Sequence, residues 1–123
     1  MHYAILCYHD EAVVGAWSKE RDDAVLAKRA RVTDALARQG KLGPVARLMP
    51  TTVATTVRSG REPLVIDGPF AETKEQLLGF FIVECDCLEQ AIETGRELAR
   101  ANASGGSYEI RPVSTFKPGG VAA

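Results

Sequence analysis

The residues that could do chemistry in this chain are concentrated in one polar segment, residues 67–75, which reads Asp-Gly-Pro-Phe-Ala-Glu-Thr-Lys-Glu. Asp67 opens a turn that Gly68 and Pro69 constrain. Its carboxylate could accept a backbone N–H in an Asx-type turn, or take a proton and orient an imidazole at the edge of a cleft. The two roles are compatible, and Asp67 is a candidate catalytic residue.

Further along the polar segment, a lysine lies between two carboxylates. In an extended chain Glu72 and Lys74 project to the same side. Such a lysine can hold an anionic substrate or lower the pKa of a neighbouring acid. The alternative is a surface ion-pair network or a clasp across a dimer, worth ~0–1 kcal/mol for each exposed pair. Glu72, Lys74 and the adjacent Phe70 are candidate substrate-binding residues.

Two residues outside this segment complete the candidate site. His9 ends an apolar N-terminal stretch, and histidine suits acid–base work at neutral pH. Asp67 could orient it if the strand ends lie side by side; the alternative is an exposed or hydrogen-bonded strand-end histidine. Arg111 could bind a substrate carboxylate through two hydrogen bonds, or pair with an acidic side chain or a partner chain. Trp17 could line a pocket or pack in the core.

Several other chemistries have no support in the sequence. We find no glycine-rich phosphate loop and no serine nucleophile elbow. Three cysteines make no disulfide framework, and one residue between Cys85 and Cys87 is too few for the usual zinc pair. We therefore expect no metal and no cofactor.

The composition indicates one globular domain. The chain has 123 residues, 15 Lys+Arg, 16 Asp+Glu and a formal net charge of −1. This balance argues against nucleic acid as a partner, and Lys28, Arg29 and Arg31 are interpreted as a solvated helix face. No apolar stretch approaches the roughly 20 residues of a membrane span, and the first residues lack a basic leader. We expect a cytoplasmic protein without membrane contact.

The hydrophobic pattern predicts the first half of the fold. Residues 2–9 read as a strand with two apolar faces. A helix follows from the N-cap Ser18 to about Gln39, with Val25, Val32 and Leu36 on one stripe, and Gly40 and Gly43-Pro44 end it. A short strand over residues 45–48 and a hairpin over residues 52–66 come next.

The second half repeats the order of strand, helix and strand. Residues 76–85 contain the most apolar strand, Gly79 to Val83, and a capping box of Asp86 and Glu89 opens a second helix. Residues 108–115 form a last strand, and residues 117–123 a loose tail. This order predicts a ferredoxin-like split βαβ fold of the α+β class with an inserted hairpin. Because two helices cover only one face of the sheet, we expect a homodimer packed sheet to sheet.

The polar segment and its surroundings resemble the DGPF-type branch of the YCII-related proteins. Matching residues include Tyr3-Ala4-Ile5-Leu6, Gly79-Phe80-Phe81 and the stretch from Gly106 to Val113. The resemblance spans roughly residues 1–115 and implies a dimeric α+β barrel, with a domain over residues 1–116. Better-understood relatives use a His–Asp pair for proton transfer or dehydrochlorination. Some members are linked by genomic context to extracytoplasmic-function sigma factors.

These observations support two classes of function. The first is binding of a small organic molecule, anionic if Lys74 or Arg111 holds it, with metal-free proton transfer of the lyase or isomerase type by His9 and Asp67. The second is a non-enzymatic accessory or regulatory module acting with a sigma factor. A cofactor-free oxygenase is a third reading, which rests on fold analogy alone.

Overall fold

The computed structural model describes residues 1–121, which form two sheets and three α-helices. In chain order the elements are β1 (His2–His9), α1 (Glu11–Gly15), α2 (Lys19–Arg38), β2 (Leu42–Arg47), a 3₁₀ turn (Thr51–Val53), β3 (Thr55–Arg58), β4 (Leu64–Asp67), β5 (Gln76–Glu84), α3 (Leu88–Arg100) and β6 (Ser107–Pro112). The predicted order of strands and long helices is confirmed. The short α1 was not predicted; Asp10 caps it by accepting a hydrogen bond from the backbone N–H of Ala12.

The main sheet has the strand order β2-β5-β1-β6, and every neighbouring pair is antiparallel. The two central strands come from different halves of the chain, which is the arrangement expected of a ferredoxin-like fold. The hairpin of β3 and β4 forms a separate two-stranded sheet. The α+β prediction with an inserted hairpin is therefore confirmed.

The core lies between the main sheet and the helices. Along β1 the burial alternates, and the buried side chains are Tyr3, Ile5, Cys7 and His9. Ile5 is opposite Phe81 on β5 and Ile110 on β6, and Leu98 of α3 is buried in the same cluster. The same alternation directs Leu6 and Phe80 to the other face of the sheet.

Helix α2 begins and ends close to the predicted residues. Ser18 accepts a hydrogen bond from the N–H of Arg21, and Gly40 follows the helix with a φ of 69°. Val25 is buried, and Val32 and Leu36 pack against the core. The predicted apolar stripe is therefore the face that α2 turns to the sheet.

Three local predictions were wrong. Gly43 and Pro44 do not end a helix but lie inside β2, an edge strand, where a missing N–H is tolerated. The N-cap of α3 is Cys87, and Gln90 rather than Glu89 reaches back, accepting from the N–H of Asp86. The last strand ends at Pro112.

The hairpin leaves apolar side chains exposed. Val57, Leu64 and Val65 are all exposed by more than half, although an isolated hairpin is marginally stable in water. Phe116, which lies just before the predicted tail, stacks on His2 with a ring separation of 4.3 Å. Residues 122–123 of that tail lie outside the described part of the chain. None of the described helices has the length and apolarity needed to cross a membrane.

Candidate functional site

A cavity of about 210 Å³ lies between α2 and the main sheet. Its walls are largely apolar: Leu26 and Ala30 come from α2, Val45 and Phe81 from the sheet, and Trp17 from the turn before α2. This composition is typical of a site for a small organic molecule, in which a few polar groups fix the orientation of an apolar ligand.

The cavity opens into a shallower groove of about 630 Å³. Trp17, Asp22, Arg47 and Leu78 line both spaces. Nη2 of Arg47 lies 2.9 Å from Oδ1 of Asp22, so the charges of these two residues are paired where the cavity meets the groove. The groove therefore provides a way in that carries little net charge.

Arg29 supplies the charge inside the cavity. Its Nη2 donates a hydrogen bond to the hydroxyl of Tyr108 at 2.9 Å and lies 3.8 Å from Sγ of Cys7. Its Nε is buried and finds no acceptor among residues 1–121. The interpretation of Arg29 as part of a solvated helix face was wrong, because the side chain is half-buried and lines the cavity.

The hydrogen-bond partner of Arg29 does not neutralise it. Burial raises the pKa of Tyr108 above its usual value of 10.0, and the nearby Cys7 acts in the same direction. The Arg29 guanidinium opposes both effects without reversing the shift. Tyr108 is therefore a neutral phenol at neutral pH, so Arg29 has no negatively charged partner in this contact.

His9 lies in the wall of the same cavity, and both of its ring nitrogens are engaged. Nδ1 accepts a hydrogen bond from the backbone N–H of Asp10 at 2.7 Å, and Nε2 lies 3.0 Å from Oγ of Ser104. Ser104 in turn donates to Oδ1 of Asn102 at 2.6 Å. Because Nδ1 is an acceptor, the proton of the neutral ring is on Nε2 and is donated to Ser104. Because His9 donates to Ser104 instead of accepting its proton, this series of hydrogen bonds does not activate Ser104 as a nucleophile.

The loop before β6 holds this histidine in place because it contains glycine. Gly106 has a φ of 87°, and a Cβ there would lie 2.7 Å from the carbonyl oxygen of Tyr8 and 3.0 Å from the His9 ring. Only glycine allows the loop to approach so closely with this backbone conformation. The Gly-Ser loop thus positions Ser104 beside His9.

The structure separates the predicted site residues. His9 and Trp17 line the cavity. The other candidates line neither the cavity nor the groove, and they are exposed: Asp67, Phe70, Glu72, Lys74 and Arg111. Arg111 is opposite Ala4, on the face of the sheet away from the helices. The roles suggested for these residues stay predictions.

The turn at the start of the polar segment is held by backbone groups. The N–H of Gly68, whose φ is 97°, donates to the carbonyl of Ala54 at 2.7 Å, and the hydroxyl of Thr56 donates to the carbonyl of Gly68 at 2.8 Å. The Asp67 carboxylate contributes to neither bond. His9 contacts Asp10 and Ser104 rather than Asp67, so the predicted pairing is not formed in this conformation.

Sequence reasoning missed Arg29, Asn102 and Ser104. A signal for Arg29 was present, since residues 25, 29, 32 and 36 follow one helical stripe and the other three are apolar. Asn102 and Ser104 gave no such signal, because the contact of Ser104 with His9 depends on tertiary structure. In the described part of the chain, no three His, Cys, Asp or Glu side chains are grouped as metal ligands. The polar side chains that line the cavity include Arg29, Asn102 and His9.

Comparison with known proteins places this geometry in a family context. A family model for the YCII-related domain matches residues 1–117. An uncharacterized protein of Rhizobium meliloti (strain 1021) is 55% identical over 120 residues, which is 97% of each chain. The resemblance found in the sequence is confirmed at the level of the family.

Proposed function

This chain belongs to the YCII-related domain family, and we propose that it binds a small organic molecule in the cavity between α2 and the main sheet. The observation that carries the proposal is the cavity itself, which has apolar walls and a few polar groups. Such spaces are the usual binding sites of small ligands. The groove beside it gives the ligand a route from solvent.

The volume limits the ligand to a small molecule. About 210 Å³ is below the range of roughly 300–1,000 Å³ found for sites of drug-sized ligands. It equals the liquid volume of roughly seven water molecules. A single substituted ring or a short branched chain therefore fits inside the cavity, whereas a larger ligand such as a nucleotide would extend into the groove.

Metal-free acid–base chemistry at His9 is part of this proposal. To give a proton, His9 has to start as the imidazolium, so Nδ1 would have to exchange its contact with the Asp10 N–H for a proton. Nε2 could then protonate a ligand group that takes the place of Ser104 and leave a neutral ring. His9→Gln keeps an N–H donor and removes proton transfer. We expect this variant to retain ligand binding and lose turnover, and unchanged turnover would remove His9 from the mechanism.

The binding proposal is tested by filling the cavity. Ala30→Leu adds volume at a position of α2 that lines the cavity, whereas Ala27→Leu makes the same change at a position of that helix that lines neither the cavity nor the groove. Ligand-observed NMR with a library of single-ring compounds should give hits for the wild type and for Ala27→Leu, and the same hits should be lost in Ala30→Leu. Hits that persist in Ala30→Leu would place binding elsewhere.

We also propose that the active form is a homodimer built through the outer face of the main sheet. Leu6, Phe80 and Ile82 are half-buried on this face, and the exposed hairpin adds further apolar surface. Covering this area would bring the usual benefit of ~25 cal/mol per Å² of apolar surface. Sedimentation velocity at micromolar concentration should give twice 13.3 kDa. A single species at monomer mass would contradict the dimer.

One observation favours a second candidate function, a regulatory module that contacts another protein in the cytoplasm. The side chain of Phe70 is 77% exposed and lies beside Asp67, Glu72 and Lys74, which are also exposed. Exposed aromatic side chains surrounded by charges are common in protein interfaces. A stoichiometric sigma factor captured by the wild type and lost in Phe70→Ser would support this role. Capture unaffected by Phe70→Ser would count against it.

A further inference from the structure

The cavity contains one cation that no carboxylate balances in the described structure. Of its charged lining residues, Arg47 is paired with Asp22 at 2.9 Å. The contacts of Arg29 are with Tyr108 and Cys7, and Tyr108 is neutral. A charge in a partly dry site is stable when an opposite charge is bound beside it. The cavity therefore favours an anion.

The hydrogen-bonding capacity of Arg29 defines the shape of that anion. A guanidinium has five N–H donors in one plane, and they match the two oxygens of a carboxylate. Nη2 is held by Tyr108, and Nε is buried without an acceptor among the described residues. Nη1 makes no hydrogen bond among the described residues and is not one of the fully buried atoms, so it is the donor that a ligand in the cavity can reach. A carboxylate bound there would neutralise the charge of the guanidinium.

We propose that the ligand of this cavity is a small carboxylate with an apolar body, bound by Arg29 through its guanidinium. This inference rests on the proposed function, that the cavity holds a ligand. The apolar body would lie against Leu26, Ala30 and Phe81, which line the same space. The volume limits it to about one ring or a short branched chain.

Tyr108 is the positioning residue in this arrangement. It comes from β6, on the face of the sheet that packs against the helices, and its hydroxyl accepts from Nη2 of Arg29 at 2.9 Å. A flexible arginine loses affinity through the entropy of ordering its side chain, so a fixed guanidinium binds its anion more tightly.

The test compares matched ligands on the full chain. Isothermal titration calorimetry is carried out with benzoate and 3-methylbutanoate, each paired with the neutral primary alcohol of the same skeleton. We expect the carboxylate of at least one pair to bind at least tenfold more tightly than its alcohol. Equal affinity within both pairs would overturn the carboxylate inference while leaving the cavity proposal intact. No binding by any of the four would overturn both.

Variants of α2 identify the residue responsible. Arg29→Met should abolish the preference for the carboxylate, while Arg31→Met, an exposed arginine on the same helix, should preserve it. A preference that survives in Arg29→Met would overturn the inference. If Arg29→Met does not fold, Arg29→Lys keeps the charge without Nε and the planar donor set. It should weaken carboxylate binding at least fivefold and leave the alcohol unchanged, and unchanged carboxylate binding would equally overturn the inference.

Discussion

The guanidinium of Arg29 and the hydroxyl of Tyr108 are joined by a hydrogen bond of 2.9 Å that links α2 to the edge strand β6. The two residues are 79 positions apart in the sequence, and the bond lies beside Cys7 between the helix and the sheet. It places a charged group where the surrounding lining is mostly apolar. The candidate site is therefore organised by a contact between two elements that are distant in the chain.

Removing the hydroxyl of Tyr108 should destabilise the fold. Tyr108→Phe keeps the packed ring and leaves Nη2 of Arg29 without its acceptor, so we expect the free energy of unfolding to fall by about 1–3 kcal/mol. Urea denaturation followed by circular dichroism measures the change. Tyr8→Phe, which removes a hydroxyl from the opposite face of the sheet, is the control and should have a smaller effect. Equal losses in the two variants would show that the Arg29 contact contributes nothing.

The loop beside His9 should not tolerate a side chain at position 106. Gly106→Ala brings a methyl group against the Tyr8 carbonyl and the His9 ring. Gly40→Ala is a suitable control, since Gly40 also has a positive φ but nothing within 4 Å of the added carbon. We expect the loss in the free energy of unfolding to be larger for Gly106→Ala by about 1–3 kcal/mol. Similar losses would mean that the loop moves away from His9 without cost.

The three thiols should react in a fixed order. Cys87 is exposed, whereas Cys7 and Cys85 are buried. Burial also raises the pKa of the Cys85 thiol, which reduces its thiolate fraction. Brief treatment of the native protein with iodoacetamide should alkylate Cys87 first, as read by peptide mass spectrometry. Early modification of Cys85 would contradict the described packing.

Stability should depend on pH through Glu93 on α3. A hydrogen bond from Arg96 lowers the pKa of this carboxyl below its usual 4.5, with Arg100 adding to the effect. A lowered pKa in the folded state gives stability that is present above about pH 4.5 and is lost as the pH falls through the lowered value. Glu93→Gln should therefore reduce the loss of stability between about pH 5 and 3. Glu97→Gln on the same helix is the control, and identical profiles in the two variants would refute this.

The pattern of the sequence was sufficient for the fold and insufficient for the site. Alternation in residues 2–9 and the stripe Val25, Val32 and Leu36 depend on burial on one side of an element, which local spacing reveals. The start of β2 was harder to predict, because Pro44 is tolerated only at the edge of a sheet, and edge position is a property of the whole topology.

The candidate site could not be predicted from local spacing as the fold could, because its residues meet through tertiary contacts. The polar segment has a high local density of charges, which drew attention to Asp67, but it follows a hairpin that stands outside the main sheet. Arg29 is charged and so was assigned to the solvent side, although its place on the apolar stripe predicts the opposite. Ser104 contacts His9 across 95 residues of sequence, and nothing in local spacing predicts that bond.

Binding in the cavity between α2 and the sheet can be followed residue by residue in ¹H–¹⁵N NMR spectra recorded during a titration with benzoate. We expect shifts concentrated on cavity residues, with Leu26, Ala30 and the side chain of Arg29 among the largest, and little change at Val57 and Val65 of the hairpin. Shifts confined to the hairpin and the polar segment, with the cavity residues unmoved, would contradict it.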